Sequence, residues 1–179
     1  MDNRIYELAA LARGGDTQAF GDLYEIYRKE MYAYACCITG DSYAAEDAVS
    51  EAVVSAFRQI GNLRDPSSFK GWLFRILHAE SCKQFNARMS HLTLDESVDL
   101  AGTGGGGIDN LELSLELRSA LKVLTGEEKE IVLLKTVNEY TSKEISEITG
   151  IPHATVRSKL SRALSKLKKE LEKGGDTDG

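Results

Sequence analysis

The sequence predicts an all-α protein: two small helical domains joined by a flexible linker, with a helix-turn-helix in the C-terminal domain. Three observations carry this. Nearly every periodic segment of the 179 residues repeats its apolar positions at intervals of three and four, with no strand-like alternation and two prolines. A glycine-dense stretch, AGTGGGG at 101–107, offers almost nothing to bury and divides the chain. The run Thr141–Leu171, TSKEISEITGIPHATVRSKLSRALSKLKKEL, reads as a short helix, a tight turn and a longer basic helix.

The elements follow in order. A short helix covers Asn3 to Ala12. Phe20, Leu23/Tyr24, Tyr27, Met31, Tyr34 and Ile38 then recur at helix spacing. Gly40 ends that helix and Asp41 caps the next, whose inward stripe is Ala45, Ala48/Val49, Ala52 and Ala56, closing near Ile60. GNLRDPSS is a loop, and Ser67 or Ser68 caps a third long helix with Phe69, Trp72, Leu73, Ile76 and Leu77 on its apolar side, ending near Arg88. The N-terminal bundle is therefore assigned to residues 1–89 and the flexible linker to 90–110, where Asp95, Glu96, Asp99 and Asp109 flank the glycines. The second domain, 111–173, opens with Leu113, Leu117, Leu121 and Leu124. Thr125 and Glu128 form a capping-box pair before Ile131–Val137. In the helix-turn-helix, Thr141 and Glu144 have capping-box spacing and Ile145 and Ile148 form one stripe. Gly150 ends the helix, Ile151 plugs the turn, and Pro152 opens a helix whose apolar face is Val156, Leu160, Ala163/Leu164, Leu167 and Leu171. Residues 174–179 are expected to be a disordered tail.

Composition narrows the function. No apolar run approaches the roughly 20 residues that cross a bilayer, and the first residues do not form a secretory signal. Three cysteines, Cys36, Cys37 and Cys82, lack metal-binding spacing and suit a reducing cytoplasm, with Cys36 and Cys37 read as buried thiols. Asp47 and Glu51 stand four apart but have no nearby His or Cys to complete a metal site. GTGGGG lacks the spacing and Lys of a phosphate loop, and no nucleophile–base pairing stands out. No catalytic residue, metal or cofactor is expected. His78 reads as a surface residue, and Trp72 and Phe69 as core.

Charge is sorted by segment on a chain of net charge −6. From His153 to Lys173 there are seven Lys/Arg and two Glu; from Arg58 to Arg88, six Lys/Arg and two acids; from Asp41 to Glu51, four acids and no base. Two basic surfaces and one acidic face imply two nucleic-acid contacts and one basic protein partner. Each pattern is also what a plain solvated helix face looks like.

The chain resembles the sigma factors of bacterial RNA polymerase, specifically the small two-domain group known for extracytoplasmic-function (ECF) signalling. The resemblance runs through AFGDLYEIYRKEMYAYA, GDSYAAEDAVSEAV and FKGWLFRI, and then through LTGEEKEIVLLKTVNEYTSKEISEITGIPHATVRSKLSRALSKLKKEL. It implies a transcription initiation factor, in the cytoplasm, that binds core polymerase and directs it to promoters under a stress or envelope signal. Asp41, Glu46, Asp47, Ser50 and Glu51 would dock on a basic coiled coil of the polymerase clamp. Asn62, Arg64, Ser67, Lys70, Trp72, Arg75, His78, Ala79, Lys83 and Arg88 would open and read the minus-ten element, one base leaving the duplex stack. His153, Ala154, Thr155, Arg157, Ser158, Lys159 and Arg162 would read the minus-thirty-five element in the major groove, with Arg157 and Arg162 foremost. Relatives are commonly held by an anti-sigma protein, which implies such a partner here. No small-molecule substrate or membrane insertion is implied.

Departures qualify the carry-over. Many relatives have Gln at Ser50 and an aromatic at Val53, and often Asn and Asp at Ala79 and Lys83. Docking survives these because the acids remain; minus-ten preference does not transfer. A slack linker lets the domains reach separated DNA elements, and lets the free chain fold up and hide both basic surfaces. The rival reading is a stand-alone dimeric helix-turn-helix regulator, which would need a two-fold dimer interface that the N-terminal bundle does not offer. A DNA-processing enzyme would need a nucleophile that the chain lacks.

Overall fold

The computed structural model describes residues 3–92, 121–136 and 138–175. Among them are seven α-helices and no strand: α1 Asn3–Arg13, α2 Thr17–Thr39, α3 Ser42–Gln59, α4 Phe69–Leu92, α5 Gly126–Thr136, α6 Ser142–Thr149 and α7 His153–Gly175. Two 3-10 turns, Ile60–Asn62 and Pro66–Ser68, link α3 to α4. The expected glycine-rich linker beyond Leu92, the leucines at 113 and 117, and the tail from 176 lie outside the described residues.

Helix ends follow local chemistry. Asp16 and Asp41 cap α2 and α3, accepting from the N–H groups of Ala19 and Ala44 at 3.0 and 2.9 Å. Each such cap contributes about 1 kcal/mol. Gly40 takes the left-handed conformation, φ 66°, and returns its N–H to the Cys36 carbonyl. The third long helix starts differently from the expectation. Neither Ser67 nor Ser68 caps it; Asp65 caps the preceding 3-10 turn, taking the Ser67 N–H at 2.9 Å, and Pro66 fills the first position of that turn. Asp65 is the better acceptor, and hydrogen bonds from the Ser67 side chain and backbone hold its carboxyl below the usual range.

In the first bundle, α2, α3 and α4 bury Leu23, Met31, Tyr34, Ala45, Ala48, Ala52, Ala56, Leu73 and Leu77, with α1 adding Ala9 and Ala12. The alanine stripe of α3 lets its neighbours approach closely. In the second group, Leu124, Val132, Ala163 and Leu167 pack α5 on α7. The anticipated face of α7 is narrower than the sequence suggests. Leu164 and Leu171 are 45% and 46% exposed, while Ala163 and Leu167 pack with Leu124 and Val132 and Val156 joins the main cluster.

The two groups also pack on each other. One apolar cluster continues from α1–α4 into Ile131, Leu134, Tyr140, Ile145, Ile148 and Val156. Phe74, on a second face of α4, meets Tyr34 edge-on at 5.5 Å and Tyr140 at 5.8 Å. A helix that is apolar on two sides needs two neighbours; α4 has the bundle on one and α6 on the other.

Candidate nucleic-acid interface

The helix-turn-helix is built by short-range chemistry. Thr141 accepts the Glu144 N–H and the Glu144 carboxylate takes the Thr141 N–H at 2.7 Å, closing the capping box. Those bonds hold the Glu144 carboxyl below its usual range. Gly150 turns the chain at φ 73°, and Ile151 packs against the core. Pro152 precedes α7 and its carbonyl accepts from Val156. With Ile145, Ile148 and Val156 buried, α7 can roll only one way. His153, Ala154, Arg157, Ser158 and Arg162 consequently face solvent, while Thr155 and Lys159 are half-buried.

Within that edge the charges differ in availability. Lys159 pairs with Glu127 at the start of α5. Lys166 binds both oxygens of Glu128 at 2.8 Å, holding that carboxyl low and bolting α7 to α5. Among the described residues, Arg162 bonds its own helix, through the Ser158 carbonyl at 3.3 Å. Arg157 and Arg162 are thus the outward-facing cations of the first turns.

The basic stretch 62–88 sits otherwise. Asn62, Arg64, Ser67, Arg75, Ala79 and Lys83 are exposed. Lys83 pairs with Glu80 at 3.3 Å. Trp72 is half-buried against Phe69. Lys70 is fully engaged: 3.1 Å from Glu30, donating to the Asn138 carbonyl at 3.2 Å, and lying over the rings of Tyr27 and Tyr140. Arg88 lies 3.6 Å from Asp41 and reaches the Thr39 carbonyl.

His78 is not a surface residue. Its Nδ1 stands 2.9 Å from Glu130 and 3.0 Å from the Tyr34 hydroxyl, which donates to the same carboxylate at 2.6 Å. Burial pulls the imidazole down, but hydrogen bonds to Cys82 and Glu130 and the Glu130 charge outweigh it, lifting its pKa to about 10. Burial and the same carboxylate push Tyr34 well above 10. Burial likewise pushes the half-buried Cys37 thiol up to about 12, and Cys36 is buried.

A groove of about 970 Å³ separates the two groups. Asn62, Arg64, Ser67, Lys70, Trp72 and Arg75 line one wall; Asn138, Tyr140 and the acids Glu139, Glu144 and Glu147 line the other. Packing of the two groups therefore engages Lys70 and His78 but leaves Asn62, Arg64, Ser67, Arg75, Ala79 and Lys83 exposed, and the first turns of α7 open as well, where the sequence allowed for both basic surfaces being hidden. Glu46, Asp47, Ser50 and Glu51 are exposed together on α3. Asp41 is tied to its capping role and to Arg88.

Sequence reasoning missed Phe74, Glu30, Glu130, Asn138 and Tyr140. One signal was available: Glu128 and Glu130 fall at positions of α5 that the fold buries, and a buried carboxylate demands a partner.

Comparison with known proteins bears on both groups. A family model described as sigma-70 region 2 matches residues 23–89, and one described as sigma-70, region 4 matches residues 114–167, about two thirds of the chain between them. The ECF RNA polymerase sigma factor SigW of Bacillus subtilis is 27% identical over 186 residues, covering 96% of this chain and 98% of that protein. SigM of Mycobacterium tuberculosis, also an ECF sigma factor, is 25% identical over 167 residues, 92% of this chain and 83% of its own length. Among solved structures, the sigma factor RpoE of Bartonella quintana, in complex with the anti-sigma factor NepR, matches with a TM-score of 0.70 at 21% identity over 91% of this chain and all of that one. CnrH in complex with the cytosolic domain of CnrY matches at 0.67 and 22%, over 99% of this chain and 100% of the other.

Proposed function

The chain belongs to the sigma-70 family of RNA polymerase sigma factors, in its ECF group, and on that premise we propose how its surfaces divide the work. The region-2 bundle docks on core polymerase through Glu46, Asp47, Ser50 and Glu51, and its 62–88 stretch engages the minus-ten element. The region-4 helices read the minus-thirty-five element through the first turns of α7. The observation that carries this reading is the outward edge of α7, where a capped turn presents His153, Arg157 and Arg162 to solvent. Helix N-terminal residues aimed outward in this way suit base edges in a major groove, and arginine suits guanine and phosphate.

Tethering explains why a chain of net charge −6 works. Free, it is repelled by DNA; docked, its second DNA contact becomes effectively intramolecular, so two modest affinities combine. A sigma factor supplies recognition and leaves catalysis to the polymerase. Partners are core polymerase, promoter DNA and, as in the RpoE structure with its anti-sigma factor, an anti-sigma protein. No described helix is long and apolar enough to cross a membrane, and the site of action is the cytoplasm. The stand-alone dimeric regulator is not favoured, since region-2 and region-4 models both match one chain.

The test is in vitro transcription with core polymerase on a genomic library, mapping start sites. Starts that align on two upstream elements at fixed spacing support the reading. Core polymerase that gains no start-site choice from the chain overturns it.

A further inference from the structure

The stretch between α3 and α4 is held by a repeat of three. Ile60, Leu63, Pro66 and Phe69 are buried, and the pairs between them, Gly61–Asn62, Arg64–Asp65 and Ser67–Ser68, are exposed. A 3-10 helix has three residues per turn, so this spacing anchors one edge of the chain and turns the rest outward. Two parts of the stretch support themselves. The Ile60 carbonyl accepts from the Leu63 N–H at 3.0 Å, and the Asp65 carbonyl accepts from the Ser68 N–H at 3.0 Å. The step that joins them is extended, with Leu63 at ψ 113° and Asp65 at ψ 114°. There the Leu63 and Arg64 carbonyls both accept from one group outside the stretch, the Arg13 guanidinium, at 3.5 and 3.1 Å.

Arg13 is itself anchored. It closes α1, whose Ala9 and Ala12 are buried, and a cation in the last turn suits the helix dipole. Gly15, at φ 100°, then turns the chain; Asp16 returns its N–H to the Leu11 carbonyl at 3.1 Å, and its side chain caps α2. The guanidinium therefore leaves from a fixed helix end. α1 also packs against both 3-10 turns. Arg13 reaches the second turn electrostatically as well: hydrogen bonds from Ser67 and, behind them, the Arg13 charge hold the Asp65 carboxyl below its usual range.

We propose that Arg13 is a positioning residue for promoter reading: by bridging the Leu63 and Arg64 carbonyls it fixes the angle between the two 3-10 turns, and with it the direction in which Asn62, Arg64 and Ser67 meet the minus-ten element. This rests on the sigma reading above. A side chain that reads a base must be held to within about 0.5 Å of its productive place, by neighbours that need not touch DNA themselves. The exposed pairs of this stretch have their buried anchors on one side only, and the extended step between the turns is where the chain is free to hinge. A planar, pre-organised guanidinium fixes that step in direction as well as in distance, which a flexible ammonium does not. The first helix, which contributes no residue to the expected DNA surface, thereby takes part in the choice of sequence.

The experiment uses the full chain with core polymerase, on a mapped promoter and on copies carrying single-base changes in the minus-ten element. The readout is the ratio of transcription between the preferred base and its substitutes. Arg13→Ala should lower that ratio about three- to tenfold, the worth of one net hydrogen bond, with affinity for core polymerase and helical content as in wild type. Arg13→Lys, which keeps the charge and loses the fork, should recover only part of it. A phosphate contact made by Arg13 itself would act differently: transcription would fall evenly over all minus-ten sequences, its salt dependence would flatten, and Arg13→Lys would restore it. A merely structural role would lower the melting temperature and leave the ratio unmoved. Either of those results, or a wild-type ratio in Arg13→Ala, overturns the proposal. If Arg13→Ala does not fold, as read by circular dichroism, Arg13→Gln decides by the same ratio. Wild type that gives core polymerase no start-site choice overturns the sigma reading and this proposal with it; an unchanged ratio in a chain that does direct starts overturns the positioning role alone.

Discussion

The basic faces of α4 and α7 carry similar chemistry and live in different states. On α7, the first turns point outward because Ile145, Ile148 and Val156 pin the helix from behind, so Arg157 and Arg162 stand in solvent. On α4, Lys70 and His78 are drawn into ion pairs and ring contacts with the other helical group. The difference teaches that a cation's availability is set by what covers its helix, not by its spacing along it. Phe74 and Tyr140 meet edge-on across the two groups and give that contact aromatic surface to bury.

The contrast can be broken by substitution. Charge reversal on the proposed docking face, Asp47→Lys with Glu51→Lys, should remove the tether on which the proposed use of both faces depends. Co-purification with core polymerase should be lost outright, with helical content unchanged by circular dichroism; unchanged co-purification refutes the docking assignment. Next in size, Phe74→Ala strikes both faces of α4 at once and should cost about 3–5 kcal/mol in denaturant unfolding. Leu164→Ala on the exposed side of α7 should stay within about 0.5 kcal/mol. Arg157→Ala and Arg162→Ala should each cost about 1–3 kcal/mol of upstream-element recognition, read as lost transcription from a promoter that depends on that element. Lys159→Ala should cost less, because Glu127 already holds that amine. The smallest effect sharpens the comparison: raising the pH from neutral toward 10 should progressively loosen the contact between the two helical groups through His78, and Glu130→Gln should flatten that profile.

Legibility followed distance along the chain. The caps at Asp16, Asp41 and Thr141 involve residues three apart, and the left-handed turns at Gly40 and Gly150 need only their own helix end. Asp41, Gly40, Gly150 and the Thr141–Glu144 pair could be read directly, as could the stripes of α2 and α3. Asp65 was overlooked because two serines nearer α4 had equally good capping chemistry. The contact between the two helical groups was not readable at all: Tyr34 is separated from His78 by 44 residues and from Glu130 by 96, and Asn138 reaches Glu30 across 108. Phe74 falls off the main α4 stripe, and periodicity alone cannot distinguish a stray aromatic from a second buried face. Leu164 and Leu171 fit the expected stripe of α7 but project past the edge of α5.

Footprinting of one mapped promoter is the most direct test of two surfaces working through one tether. Core polymerase with the wild-type chain should protect two separate blocks of DNA, and the Arg157→Ala/Arg162→Ala variant should lose the upstream block while keeping the downstream one. Protection of a single block by wild-type holoenzyme, or the same two blocks protected by the chain without polymerase, would contradict the account.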